Sequence, residues 1–106
     1  MSDKPVTLIN IFKVLPTEQQ RLIDLLTEAT QSSVQHAPGF ISARLHRSID
    51  GTKVTMYAQW RSSQDYESMR TDPAPLPYLQ EALKIATFEP GMYEVVQEFQ
   101  PGRGPR

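Results

Sequence analysis

Asn10 sits in the middle of VTLINIFKV, between Leu8 and Phe12 on one face of an otherwise apolar segment. An unpaired amide there costs roughly 1–3 kcal/mol, so Asn10 either bonds a loop backbone or buried water, or serves a ligand oxygen. The single tryptophan, Trp60, ends a second such segment, TKVTMYAQW. Side chains alternate across a strand, which puts Val54, Met56, Ala58 and Trp60 on one face and Thr55, Tyr57 and Gln59 on the other. In most small domains such a tryptophan is core; beside small Ala58 it also leaves space for a flat ligand to stack. Tyr66, six residues on, reads either as a half-buried packing tyrosine or as a hydroxyl brought toward the same end of the sheet. The two histidines, His36 and His46, lie ten residues apart in different segments with no third ligand nearby, which argues against a metal site. A hairpin that pairs residue 45 with residue 56 puts His46 opposite Thr55, away from Trp60, whereas a three-residue loop or a bulge reverses that parity. By pattern alone His46 is a surface or interface histidine.

Other catalytic patterns are missing. No glycine-rich loop follows a strand to cradle a phosphate or dinucleotide, and there is no nucleophile elbow. The absence of cysteine excludes disulfides, thiolate catalysis, iron–sulfur clusters and cysteine-zinc sites. Any chemistry must rest on substrate reactivity, pocket shape and a few polar groups. With 106 residues, 39% hydrophobic and 22% charged, the chain is expected to form one globular domain over residues 1–100, with PGRGPR (101–106) a disordered tail. A net charge of −1 and a pI near 6.1 give no electrostatic reason to expect nucleic acid or an anionic membrane as partner. The start, MSDKPVTL, has no apolar signal core and no stretch approaches a membrane span, so a cytoplasmic protein is expected.

The elements that must position these residues follow from periodicity. Val6–Val14 reads as a strand. Thr17, with Gln20 three residues later, predicts a capped helix start, and Leu22, Leu25, Leu26, Ala29 and Ser33 recur at helical spacing over residues 18–35. Ala37-Pro38-Gly39 stops that helix. Phe40–Arg47 and Thr52–Trp60 form a hairpin around Asp50-Gly51. Ser62 or Ser63 caps a short helix through Met69, DPAPLP interrupts it, and Tyr78–Ile85 resumes it. A last strand is predicted at Tyr93–Phe99, after Glu89-Pro90-Gly91. The order βαββαβ is the ferredoxin-like α+β plan, an antiparallel sheet with both helices on one face.

Two helices cover one face of that sheet. Yet the first strand is apolar on both sides, with Leu8 and Phe12 on one and Ile9 and Ile11 on the other, and Tyr57 lies opposite the Trp60 face. A second copy packed sheet to sheet would cover the remaining face, so a homodimer is predicted.

VTLINIFKV, APGF and LHRSIDGTKVTMYAQW, in βαββαβ order from about Val6 to Phe99, resemble the antibiotic-biosynthesis monooxygenase (ABM) family. The resemblance implies a dimeric α+β barrel with a pocket between sheet and helices in each subunit. Some members oxidise anthrone-like aromatic polyketides to quinones with O2 and without metal, flavin or haem; the implied partners are thus a small hydrophobic aromatic substrate and O2, with no cofactor. Asn10 matches a first-strand asparagine that hydrogen-bonds substrate, Trp60 a third-strand catalytic tryptophan, and Tyr66 a pocket residue of the quinone-forming group. His46 matches a pocket-lining or supporting position, and Phe12, Met56 and Ala58 complete the expected substrate contacts. An anthrone that loses a proton reduces oxygen directly, so the pocket need only desolvate the rings, hold them, and place donors against the anion. Asn10 and Tyr66 are the expected donors and Trp60 the stacking partner.

Two positions depart from the family pattern: Met56 stands where many relatives have asparagine, and Gln80 where quinone-forming members can carry arginine. Methionine donates no hydrogen bond. That leaves room for a second reading, an accessory or cyclase-type barrel that binds a hydrophobic aromatic without oxidising it. Haem degradation is a further alternative, but related haem barrels use a histidine on the second helix, and residues 63–85 contain none.

Overall fold

The computed structural model describes residues 4–102. β1 (Val6–Val14) is the centre of an antiparallel sheet of order β2-β3-β1-β4, where β2 is Phe40–Arg47, β3 Lys53–Trp60 and β4 Ala86–Glu89. A two-residue strand, β5 (Met92–Tyr93), pairs β1 beyond β4. The helices are α1 (Gln19–Ser32), α2 (Ser63–Met69) and α3 (Leu76–Ile85). This is the expected ferredoxin-like plan. Its β1–β3 register, Val6 against Trp60 through Lys13 against Lys53, puts Leu8, Asn10 and Phe12 on the same face as Ala58, Met56 and Val54. No helix among the described residues is long and apolar enough to cross a membrane.

The helices pack on that face and form two core clusters. Phe12, Val14 and Val54 meet Leu22 and Leu26 of α1 and Ala82 of α3 at one end. Leu8, Ala58 and Trp60 form the other, with Tyr66 and Met69 of α2 against them. Buried Gln19 ties α1 to the sheet by donating to the Ser48 carbonyl (3.2 Å) and the Lys53 carbonyl (2.9 Å) at the base of the β2–β3 hairpin.

Several boundaries differ from the sequence reading. Thr17 does not cap α1: Pro16–Glu18 forms a 3-10 turn behind Leu15, and the Gln20 amide is spent on Asp24 (3.0 Å) and Arg47 instead. α1 ends at Ser32 rather than at residue 35, because Ser33 turns out of the helix and donates its hydroxyl to Asp72; a 3-10 turn, Val34–His36, follows. α3 starts at Leu76, since Pro77 is tolerated in the first turn. The last strand is the largest difference. β1 takes Ala86–Glu89 and then Met92–Tyr93 as partners, and residues 94–102 carry no regular structure. Of the expected tail, residues 103–106 lie outside the described residues.

Ser62 caps α2 as expected by accepting from the Asp65 N–H (3.2 Å). The Ala-Pro-Gly-Phe turn is locked to this corner. Gly39 has a φ of +86°, its carbonyl accepts from Arg61 N–H (2.7 Å), and any side chain on it would run into Asp65. Arg61 Nε in turn donates to Asp65 (2.8 Å), a bond that lowers the Asp65 pKa. This corner fixes where α2 begins and hence where Tyr66 points.

At the other end of the sheet, the hairpin turn is organised by Asp50. Its carboxylate accepts from Thr52 Oγ1 (2.7 Å), the Thr52 N–H (3.0 Å) and Ser48 Oγ (2.8 Å). These bonds, the Thr52 hydroxyl first, lower its pKa from 3.8 to about 2. Between those values the unfolded chain binds a proton that the folded turn does not, so the stabilisation is complete above 3.8 and is lost as pH falls toward about 2. Asp50→Asn is therefore expected to melt below the parent at neutral pH, and the gap should close across that acid window in paired thermal melts.

Candidate active site

Between the two core clusters the helices stand off the sheet and leave a cavity of about 330 Å³. Its floor is the middle of β1 and β3, where Asn10 and Met56 are direct cross-strand partners. Leu8, Ala58 and Trp60 wall one end, Phe12, Phe88 and Leu26 the other, and Leu79 and Leu83 of α3 close over it. Phe12 and Phe88 stack with centroids 4.7 Å apart. The lining is overwhelmingly apolar with a few converging polar groups, the usual character of a small-molecule site.

Trp60 is both core and wall. It is 1% exposed, with edge-to-face contacts to Phe40 (5.4 Å) and Tyr66 (5.8 Å), and it borders the cavity beside Ala58 and Ala43. A bulge makes this possible. Phe40 and Ala43 are three residues apart and would lie on opposite faces of a regular strand, but the register shift between Phe40 and Ser42 pairs Phe40 with Trp60 and Ala43 with Ala58.

The polar atoms divide into engaged and available. Thr30 Oγ1 donates to the Leu26 carbonyl (2.8 Å) within α1. Asp72 accepts from Ser33 and from the Ala74 N–H (2.9 Å), bonds that lower its pKa and keep it ionised. Asn10 Oδ1, in contrast, is the one buried side-chain polar atom without a hydrogen-bond partner among the described residues. A carboxamide has both an acceptor and two donors: its oxygen can accept from a phenol, and its nitrogen can donate to a phenolate. The Tyr66 hydroxyl is half-buried; desolvation raises its pKa, against an opposing pull from Arg70, so it stays protonated and able to donate at neutral pH.

Of the residues expected from sequence, Asn10, Phe12, Met56, Ala58, Trp60 and Tyr66 all line this cavity. His46 does not. Leu45 pairs Met56 and His46 pairs Thr55, so the imidazole lies on the outer face, exposed, with Nδ1 3.4 Å from the Thr55 carbonyl. The bulge that could have reversed its parity sits at the far end of β2, beyond reach of the hairpin register. Gln80 is likewise exposed on α3 and outside the cavity. Sequence reasoning missed Arg70 and Asp72 as lining residues. The signal for Arg70 was there: Tyr66, Met69 and Arg70 stand at i, i+3 and i+4, one face of α2 and its C-cap. Within the proline-rich break, Asp72, Pro75 and Leu76 border the cavity.

Known proteins resemble this chain in sequence and in fold. The chain is 40% identical over 93 residues to tetracenomycin-F1 monooxygenase of Streptomyces glaucescens, spanning 88% of this chain and 83% of that protein. It is similar to the monooxygenase ActVA-Orf6 of Streptomyces coelicolor, solved in complex with nanaomycin D, at 28% identity and a TM-score of 0.81 over 93% of this chain and 94% of that one. SnoaB, a cofactor-independent oxygenase of Streptomyces nogalater, superposes with a TM-score of 0.74 over 92% and 99% of the two chains; at 22% identity this likeness is one of fold. Residues 5–74, well over half of the sequence, match the family model for antibiotic biosynthesis monooxygenase, and the chain belongs to that family.

Proposed function

We propose that this protein is a cofactor-independent monooxygenase that oxidises a phenolic, anthrone-like polycyclic aromatic of polyketide type to a quinone with O2. The observation that carries the reading is Asn10, whose Oδ1 is buried without a partner, in the lining of an apolar cavity that Trp60 and Tyr66 also border. The activities of the relatives support the reaction class. The rings occupy the apolar end against Trp60, and the ligand oxygen meets Asn10. Loss of a methylene proton, to water since His46 faces outward, gives an anion stabilised by Asn10 and by the Tyr66 hydroxyl. The anion reduces O2, the carbon–oxygen bond forms, and the resulting hydroperoxide loses water, so that CH2 and O2 become C=O and H2O. Oxygen uptake with a model anthrone tests this. Protein-dependent uptake with quinone formation is expected, and none above the uncatalysed rate would sink it.

Met56 favours one other reading. Opposite Asn10 it presents a thioether where a second polar group would assist the oxygenation, which suits a barrel that binds an aromatic without oxidising it. Product formation that proceeds unchanged without oxygen would select this alternative.

A homodimer completes the same picture. Ile9, Ile11 and Tyr57 on the outer sheet face are only partly buried, and Val95, Val96 and Phe99 are 64%, 83% and 83% exposed. So much apolar surface on one small chain calls for a partner. The protein is expected to sediment at micromolar concentration with twice its 12.1 kDa chain mass, and Val96→Asp with Phe99→Asp to shift it toward monomer.

A further inference from the structure

The cavity is apolar within but charged at its rim, and the two charges there are not equivalent. Asp72 is occupied by its bonds from Ser33 and Ala74. Arg70 caps the C-terminus of α2, where its backbone N–H donates to the Tyr66 carbonyl (3.2 Å). Its guanidinium lies over the Tyr66 ring, 5.9 Å from the centroid, a placement that steadies a flexible side chain beside the cavity. Its ion pair among the described residues, to Glu67, is 3.8 Å long with both side chains about 60% exposed. That is beyond hydrogen-bond range, and such a pair is worth little in water. The guanidinium therefore keeps its planar fork of donors for a group emerging from the cavity, and the fork matches a carboxylate in geometry and charge.

We propose that Arg70 determines specificity by binding an anionic substituent, a carboxylate, on the aromatic ligand, so that the substrate is a polycyclic aromatic acid. The assignment rests on the cavity being the aromatic site proposed above. The rings lie on the Trp60 side, the reacting oxygen at Asn10, and the carboxylate at the rim; three separated anchor points fix the orientation of an otherwise flat, nearly featureless molecule. A neutral ligand of the same shape keeps the ring contacts and loses the third point.

The single tryptophan makes this measurable without turnover. Quenching of Trp60 fluorescence would be titrated with anthraquinone-2-carboxylate and with its neutral isostere, anthraquinone-2-carboxamide. The parent protein is expected to bind the carboxylate about fivefold more tightly, the range of a partly exposed charge-assisted contact. Arg70→Gln should abolish that preference while leaving carboxamide binding in place, Arg70→Lys should keep part of it, and Arg21→Gln, which removes an exposed cation of α1 outside the cavity, should keep it all. Equal binding of the two probes by the parent, or a preference that survives Arg70→Gln, overturns the role of Arg70 and leaves the aromatic site standing. If neither probe quenches Trp60, the aromatic site and the role of Arg70 fall together.

Discussion

Asn10→Leu is expected to lose about a hundredfold in anthrone-dependent oxygen uptake, the scale of removing one preorganised donor from a developing anion. The same variant should melt no lower than the parent. The two effects have a common cause. Asn10 Oδ1 is buried without a partner, and an unsatisfied buried acceptor costs about 1–3 kcal/mol, so folding is relieved when the amide is removed. Leucine has the same branched shape and number of heavy atoms as asparagine, and its slightly larger methyls meet the adjoining cavity. An asparagine kept for structure would behave in the opposite way, with stability falling and uptake unchanged. Thermal melts and an oxygen electrode on the same preparation separate the two, and a drop in melting temperature with full activity would remove Asn10 from the site.

Trp60→Ala is expected to cost about 3–5 kcal/mol of stability, a large part of the roughly 5–15 kcal/mol by which domains of this kind are folded. The indole is almost fully buried and joins β3 to Phe40 of β2 and Tyr66 of α2, so its loss unties the sheet from the helix that carries Tyr66. Trp60→Phe keeps a ring in that place. It should fold, with a denaturant midpoint between those of the parent and the alanine variant. Its smaller face should weaken binding of a tricyclic ligand about three- to tenfold, in line with about 0.5–1.5 kcal/mol for a ring–ring contact. A phenylalanine variant that binds as well as the parent would make Trp60 a core residue that merely borders the cavity.

Both predictions rest on residues legible in the sequence, because the strands that hold them are governed by local pattern. Val6–Val14 and Phe40–Arg47 fall where alternation and β-branched content put them, and Asp50-Gly51 marks the turn between β2 and β3. Once those strands are set, side-chain alternation alone places Asn10, Met56, Ala58 and Trp60 relative to one another. Tyr66 follows from the Ser62 cap of α2. Capping at the start of α1 was less legible, since a Thr–Gln pair at the right spacing can be outcompeted by a proline-led 3-10 turn and by the tertiary partners Asp24 and Arg47.

The tertiary structure decided what depends on partners far along the chain. Residues 93–99 have the composition of a strand, yet β1 pairs instead with Ala86–Glu89 and Met92–Tyr93; an edge of β1 accepts whichever segment the end of α3 delivers to it. The parity of His46 was open until the register of the hairpin fixed it outward, and the bulge near Phe40 brought Phe40 and Ala43 to one face against strict alternation. Arg70 became a candidate for recognition only when the cavity opened beside it. By itself the sequence determined the strands, the βαββαβ order and the residues along the cavity floor, because those follow from the period of side chains along a single segment. Only the packed molecule determined the last strand, the outward turn of His46 and the charged rim, because each arises where two segments distant in sequence meet.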